Sequence, residues 1–120
     1  MDHKDLDVWK ESVEMALEIY AITGHFPKEE LYGLTSQMRR AVVSIASNIA
    51  EGAARNGDRE MIQFLYIALG SLAEVETQII IAERLGYMAH SEDMVGKLSS
   101  IKQMILGLIR HLKNKRGREA

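Results

Sequence analysis

Four histidines, seventeen carboxylates and no cysteine bound the chemistry open to this 120-residue chain. The lack of cysteine removes disulfides, thiolate nucleophiles and Cys-ligated zinc or iron–sulfur clusters. His3, His25, His90 and His111 fall at element ends or beyond. No two are spaced His-x-x-x-His, and no Glu is followed three residues later by His. The zinc and di-iron signatures of helical bundles are therefore missing. No phosphate-cradling glycine loop is present, and no nucleophile motif accompanies the serines. The sequence assigns no catalytic, cofactor or metal residue, and it reads as non-enzymatic.

Two other sets of residues carry chemistry of a different kind. The first is polar and structural: Arg40, Ser44, Ser47, Asn48 and Glu51, with Ser71 and Glu74 further on. Hydroxyls, an amide and end charges spaced along one helix can hydrogen-bond across to neighbouring helices. The second set is basic: Arg39, Arg55, Arg59, Lys97, Lys102, Arg110, Lys113, Lys115, Arg116 and Arg118. Such residues neutralise phosphates, and binding of that kind falls steeply with salt. Charge is unevenly spread. Residues 1–30 hold eight acids against three lysines, while residues 97–118 hold seven Lys or Arg and no acid. That asymmetry fits a nucleic-acid-facing C-terminal helix. It equally fits two outer helices that neutralise one another, and the whole-chain charge of −2 favours the second reading.

The element that must position the polar set runs from Leu34 to Gly52. Leu34, Met38, Val42, Ile45 and Ile49 alternate steps of four and three, the spacing of one helix face. Thr35 or Ser36 can cap its start, and Gly52 can end it in the left-handed conformation. Its other side carries Arg40, Ser44, Ser47 and Glu51, and no charge falls between Ala41 and Ala50. A helix without charges on its outer face is expected to be covered on most sides, by other helices or by another subunit.

Around it the spacing predicts three more helices. The first covers about 5–23, with a main stripe of Leu6, Trp9, Val13, Ala16 and Tyr20, widened by Leu17. Val8, Met15, Ile19 and Ile22 lie off that stripe and suggest a second contact. The third covers about 58–85, capped by Asp58 and ended by Gly86, with a seam from Met61 to Ala82. The fourth covers about 91–113, capped by Ser91. With the central helix at about 35–52, residues 1–114 read as one all-α, antiparallel up-down-up-down four-helix bundle. Residues 115–120 read as a basic flexible tail. Pairing across the second hairpin puts Ser44 near Tyr66 to Gly70 and Ser47 near Gln63, and it predicts an ion pair between Arg39 or Arg40 and Glu74. Ser71, Glu74 and Gln78 read as a polar line on the third helix. The wide apolar arc of that helix argues for self-association. No signal peptide is recognisable, and the longest purely apolar run, Ile79 to Ala82, is too short to span a bilayer. The expectation is a bacterial-type cytoplasm and no membrane.

Leu34-Thr35-Ser36-Gln37-Met38-Arg39-Arg40-Ala41, Ser44-Ile45 and Asn48-Ile49-Ala50-Glu51-Gly52 together resemble a known family. It comprises the small proteins encoded in intervening sequences of bacterial 23S rRNA genes, sometimes labelled ribosomal proteins. Further matches are Asp5-Leu6, Val8-Trp9, Phe26-Pro27, Glu30 with Tyr32-Gly33-Leu34, Ala68, Gly70-Ser71-Leu72, Glu74 and Leu85-Gly86-Tyr87. The fourth helix matches only in pattern. The resemblance implies a four-helix bundle assembled into a ring-like homopentamer, associated with ribosomal RNA or another nucleic acid. A similar branch, the accessory proteins of diversity-generating retroelements, is markedly basic, whereas this chain is slightly acidic. The alternative is a protein–protein interaction module that holds a protein partner and touches no nucleic acid.

Overall fold

The computed structural model describes residues 2–119, and every regular element within them is helical. A 3-10 turn at His3–Asp5 leads into α1 (Asp7–Thr23). A second 3-10 turn at Lys28–Glu30 precedes α2 (Leu34–Ala54), which is followed by α3 (Asp58–Arg84) and α4 (Glu92–Glu119). The fold class is all-α, with no strand among the described residues. The body is elongated, 53 × 23 × 20 Å.

α2 packs on α1 and α3, and α4 closes the square against α3 and α1. Helix directions follow from which residues meet. Gly52 lies against Met61 and Phe64 while Ser44 bonds Ser71, so α2 and α3 run antiparallel. Glu83 bonds Ser91 beside the α3–α4 connection, and Tyr66 bonds Lys113 far from it, so α3 and α4 do the same. Arg39 bonds Thr23 near the α1–α2 connection, while Trp9 and Ala50 share a groove at the other end.

The core is aliphatic. Met15 and Ile19 of α1, Met38 to Ile49 of the α2 stripe, Leu65 to Ile79 of α3 and Leu98 to Leu112 of α4 supply its fully buried side chains. Each large one contributes about 1.5–3 kcal/mol. By length and apolar composition α3 resembles a membrane-spanning helix. Its seam of Leu65, Leu72, Val75 and Ile79 is no more than 2% exposed, packed among the other helices, while Tyr66, Ile67, Ile80 and Ile81 are exposed.

Several ends differ from expectation. Gly52 does not terminate α2, which continues to Ala54. A Cβ there would lie 2.8 Å from Phe64 Cβ and 2.9 Å from Met61 Sδ, so glycine serves close approach between helices. The turn glycine is Gly57, at φ +124°. Neither Thr35 nor Ser36 caps α2; Leu34 N donates to Glu30 Oε1 at 3.2 Å instead. Asp58 makes no side-chain cap and is the first residue of α3. Gly86, at φ +79°, ends α3 as predicted. Its N–H donates to Glu83 O and that of Tyr87 to Ala82 O, a Schellman closure. Val95 N donates to Ser91 O, but the Ser91 hydroxyl is spent on Glu83. α4 does not fade at Lys113; helix continues through Glu119, where residues 115–120 were expected to be a flexible tail.

Candidate functional site

The main departure concerns α1. Its fully buried positions are Val8, Ser12, Met15, Ile19 and Thr23, largely the residues that spacing placed off the main stripe. The main stripe lies at the margin of the core instead, with Leu6, Trp9 and Ala16 packed against it and Leu17 and Tyr20 outside. Trp9, Val13 and Ala16 are half-buried, and Leu17 and Tyr20 are 60% and 46% exposed. α1 thus has two apolar faces, and one chain covers the inner one fully and the outer one in part. Opposite the outer face lies the uncharged middle of α2, with Val43 41% exposed and Ser47 exposed.

Between them runs a groove in two lobes joined at Tyr20, Val43 and Ser47. One lobe, about 520 Å³, is lined by Trp9, Val13, Leu17 and Ala46 among others, and is almost wholly apolar. The other, about 640 Å³, adds Leu31, Tyr32, Arg39 and Arg40 at its rim. Tyr32 is 93% exposed there. Within one chain α2 is therefore buried on its core side, and its groove side is left to whatever seats there.

The polar line of α2 divides. Asn48 Nδ2 donates to Ser44 O at 2.8 Å and to Ser44 Oγ at 2.9 Å, and Ser44 Oγ meets Ser71 Oγ of α3 at 2.9 Å. This chain of bonds fixes the α2–α3 register from half-buried positions. Ser47 points into the groove, and Glu51 pairs with Arg55 at 2.9 Å on the surface. The expected ion pair with Glu74 does not form from either arginine. Arg40 reaches only Ser36 Oγ, at 3.4 Å, and shares with Glu74 a shallow crevice of about 340 Å³. Gln78, expected on the same polar line as Ser71 and Glu74, is buried with its Oε1 unpartnered among the described residues.

Arg39 has a structural task. Its Nε donates to Thr23 Oγ1 at 2.9 Å and its Nη2 to Tyr20 O at 3.4 Å, and its guanidinium lies 4.6 Å over the Tyr20 ring. A fixed cation at the C-terminus of α1 also complements that helix's dipole. Glu30, one of the residues that carry the family resemblance, is a second fastener. Its Oε1 accepts from Leu34 N, and its Oε2 accepts from Tyr87 OH at 2.8 Å. It thereby ties the start of α2 to the α3–α4 connection, with the Phe26 and Tyr87 rings 5.4 Å apart beside it. Donating to a carboxylate raises the Tyr87 phenol above its ordinary pKa.

The other basic residues separate by partner. Lys97 joins Glu18 of α1 at 2.6 Å and Asp93 at 3.4 Å, and Glu18 chiefly raises its pKa. Lys115 joins Asp58 at 3.5 Å. Arg55 lies over Phe64, and Lys113 donates to Tyr66 OH at 2.9 Å. Arg59, Lys102 and Arg110 are exposed with no ion pair among the described residues. The side chains of Arg116 and Arg118 lie outside the described residues. No three His, Asp or Glu among the described residues are grouped to hold a metal.

A family model for the 23S rRNA-intervening sequence protein matches residues 4–107. The chain belongs to that family. The match to the 23S rRNA-intervening sequence proteins spans the groove, the Ser44 chain, Arg39 and the Glu30 fastener. Arg110, Lys113 and Lys115 lie beyond it. Among solved structures, a protein of unknown function from the S23 ribosomal protein family of Bacteroides thetaiotaomicron is similar with a TM-score of 0.80. Identity is 23%, over 92% of this chain and 99% of that one, which is a likeness of fold. No curated protein matches.

Proposed function

We propose that this chain is a non-enzymatic scaffold that assembles with copies of itself through the α1–α2 groove and associates with RNA or a ribonucleoprotein. The observation that carries the reading is the outward apolar stripe of α1 facing an uncharged α2. Contiguous apolar surface of this kind marks an interaction site. A second copy is the occupant that best suits it. α3 offers exposed Ile67 and Ile81, two heptads apart on a different side of the bundle. A groove on one side and a ridge on another make a head-to-tail contact, which builds a ring where its rotation closes and not a two-fold dimer. A ring of five is the form that family resemblance implies. RNA association is supported by the acid-free run of α4.

Leu17→Glu with Val43→Glu places two carboxylates in the groove. Sedimentation velocity should show the wild type as an oligomer and the double variant as a folded monomer. An oligomer unaffected by the double variant would reject the groove as the contact. Capture of a different protein by a monomeric wild type would favour the interaction-module alternative.

A further inference from the structure

We infer that the α3–α4 side of the bundle is a contact for RNA phosphates, which rests on the RNA association proposed above and assigns it a surface. From Met94 to Arg118 the chain holds seven Lys or Arg and no Asp or Glu. These cations are not equivalent. At about 100° per residue, Lys102, Arg110 and Lys113 fall within an arc of about 80° on α4, and Lys97 and Lys115 lie about 140° or more away. The distant two are the ones paired with carboxylates, Glu18 and Asp93 for Lys97 and Asp58 for Lys115. The three on the arc have no acid partner among the described residues.

Lys113 fixes what this arc adjoins. It reaches Tyr66 of α3, and its ammonium lies 5.3 Å from that ring. The α3 line through Tyr66 at helical spacing is Arg59, Tyr66, Ala73, Thr77 and Arg84, again without an acid. Two acid-free lines therefore run side by side, with Arg59, Lys113, Arg110, Lys102 and Arg84 spread along them. A net charge of −2 overall conceals this: α1 holds four acids, and the five acids of α3, Asp58, Glu60, Glu74, Glu76 and Glu83, lie off this line. The square packing of the helices puts this side opposite the α1–α2 groove, while Ile67 and Ile81, the residues proposed to seat in a partner's groove, border it on α3. A row of exposed cations suits the backbone of duplex RNA, held by charge and not by sequence.

The experiment uses the full chain and a 20-base-pair RNA duplex, with binding followed by fluorescence anisotropy between about 50 and 200 mM salt. The ridge variant is Lys102→Gln, Arg110→Gln, Lys113→Gln; the control is Lys10→Gln, Lys28→Gln. The ridge variant should bind at least about tenfold more weakly at low salt, with the log–log salt slope reduced by about 2–3. The control should match the wild type. Lys102→Glu alone, at an exposed position, should weaken binding in the same direction. Wild-type binding that the ridge variant keeps at full strength and slope overturns the surface while leaving RNA association intact. A wild type that binds no duplex at about 50 mM salt overturns RNA association itself.

Discussion

Gly52 sits where helix propensity and packing oppose one another. Replacing glycine by alanine inside a helix ordinarily stabilises by up to about 1 kcal/mol. Here the added methyl meets Phe64 Cβ and Met61 Sδ at under 3 Å. The methionine can swing away, but the phenylalanine Cβ is fixed to its backbone. Gly52→Ala should therefore destabilise, by about 1–3 kcal/mol, read as a lower urea midpoint with unchanged slope. The sequence showed that glycine belongs near this point but not which constraint selects it, because the constraint comes from a helix further along the chain. Glu30 and Tyr87 are similar: both stood out, yet 57 residues separate them. Their bond makes stability fall at high pH. The Tyr87 phenol is raised in the fold, so its contribution is complete below the ordinary tyrosine value of about 10 and is lost as pH climbs through the raised one. Lys97, raised by Glu18, acts in the same direction. Melting temperature should drop above about pH 10, and less steeply in Tyr87→Phe. An identical alkaline drop in that variant would remove Tyr87 from the cause.

At the scale of elements, the number and class of helices were legible because apolar residues recur at steps of three and four through each of them. Which face of α1 turns inward was not. That helix carries two apolar stripes, and spacing ranks stripes by regularity while packing selects the one that meets Met38, Ile45 and their neighbours. Nor could the sequence allot the arginines of α2. Arg39 and Arg40 differ by one position, yet one is locked onto the C-terminus of α1 and the other is exposed. Arg39→Ala should cost about 1.5–3 kcal/mol, the range for hydrogen bonds from a charged donor. Arg39→Lys should recover little of it, since an ammonium cannot span Thr23 and the Tyr20 carbonyl while lying flat on the ring. Glu74→Ala should change urea stability by less than about 0.5 kcal/mol, because Glu74 holds neither arginine. A loss of several kcal/mol there would show a pairing that this arrangement lacks.

The whole molecule is a square of four helices with two unlike long sides. One side, between α1 and α2, is apolar and almost free of charge. The opposite side, between α3 and α4, is polar and basic. An isolated subunit exposes Leu17, Tyr20, Leu31, Tyr32 and Val43 to water on the first side, and a second copy seated there as proposed would remove that cost. The apolar seams already pointed to association. The α1–α2 face proposed for it rests on the orientation of α1, which turns Leu17 and Tyr20 outward. Light scattering coupled to size exclusion decides the matter most directly, on the wild type and on Leu17→Glu with Val43→Glu. The wild type should elute as a single multiple of 13.5 kDa and the variant as a helical species at 13.5 kDa. A wild type that remains at 13.5 kDa at micromolar concentration would contradict self-assembly through the α1–α2 face.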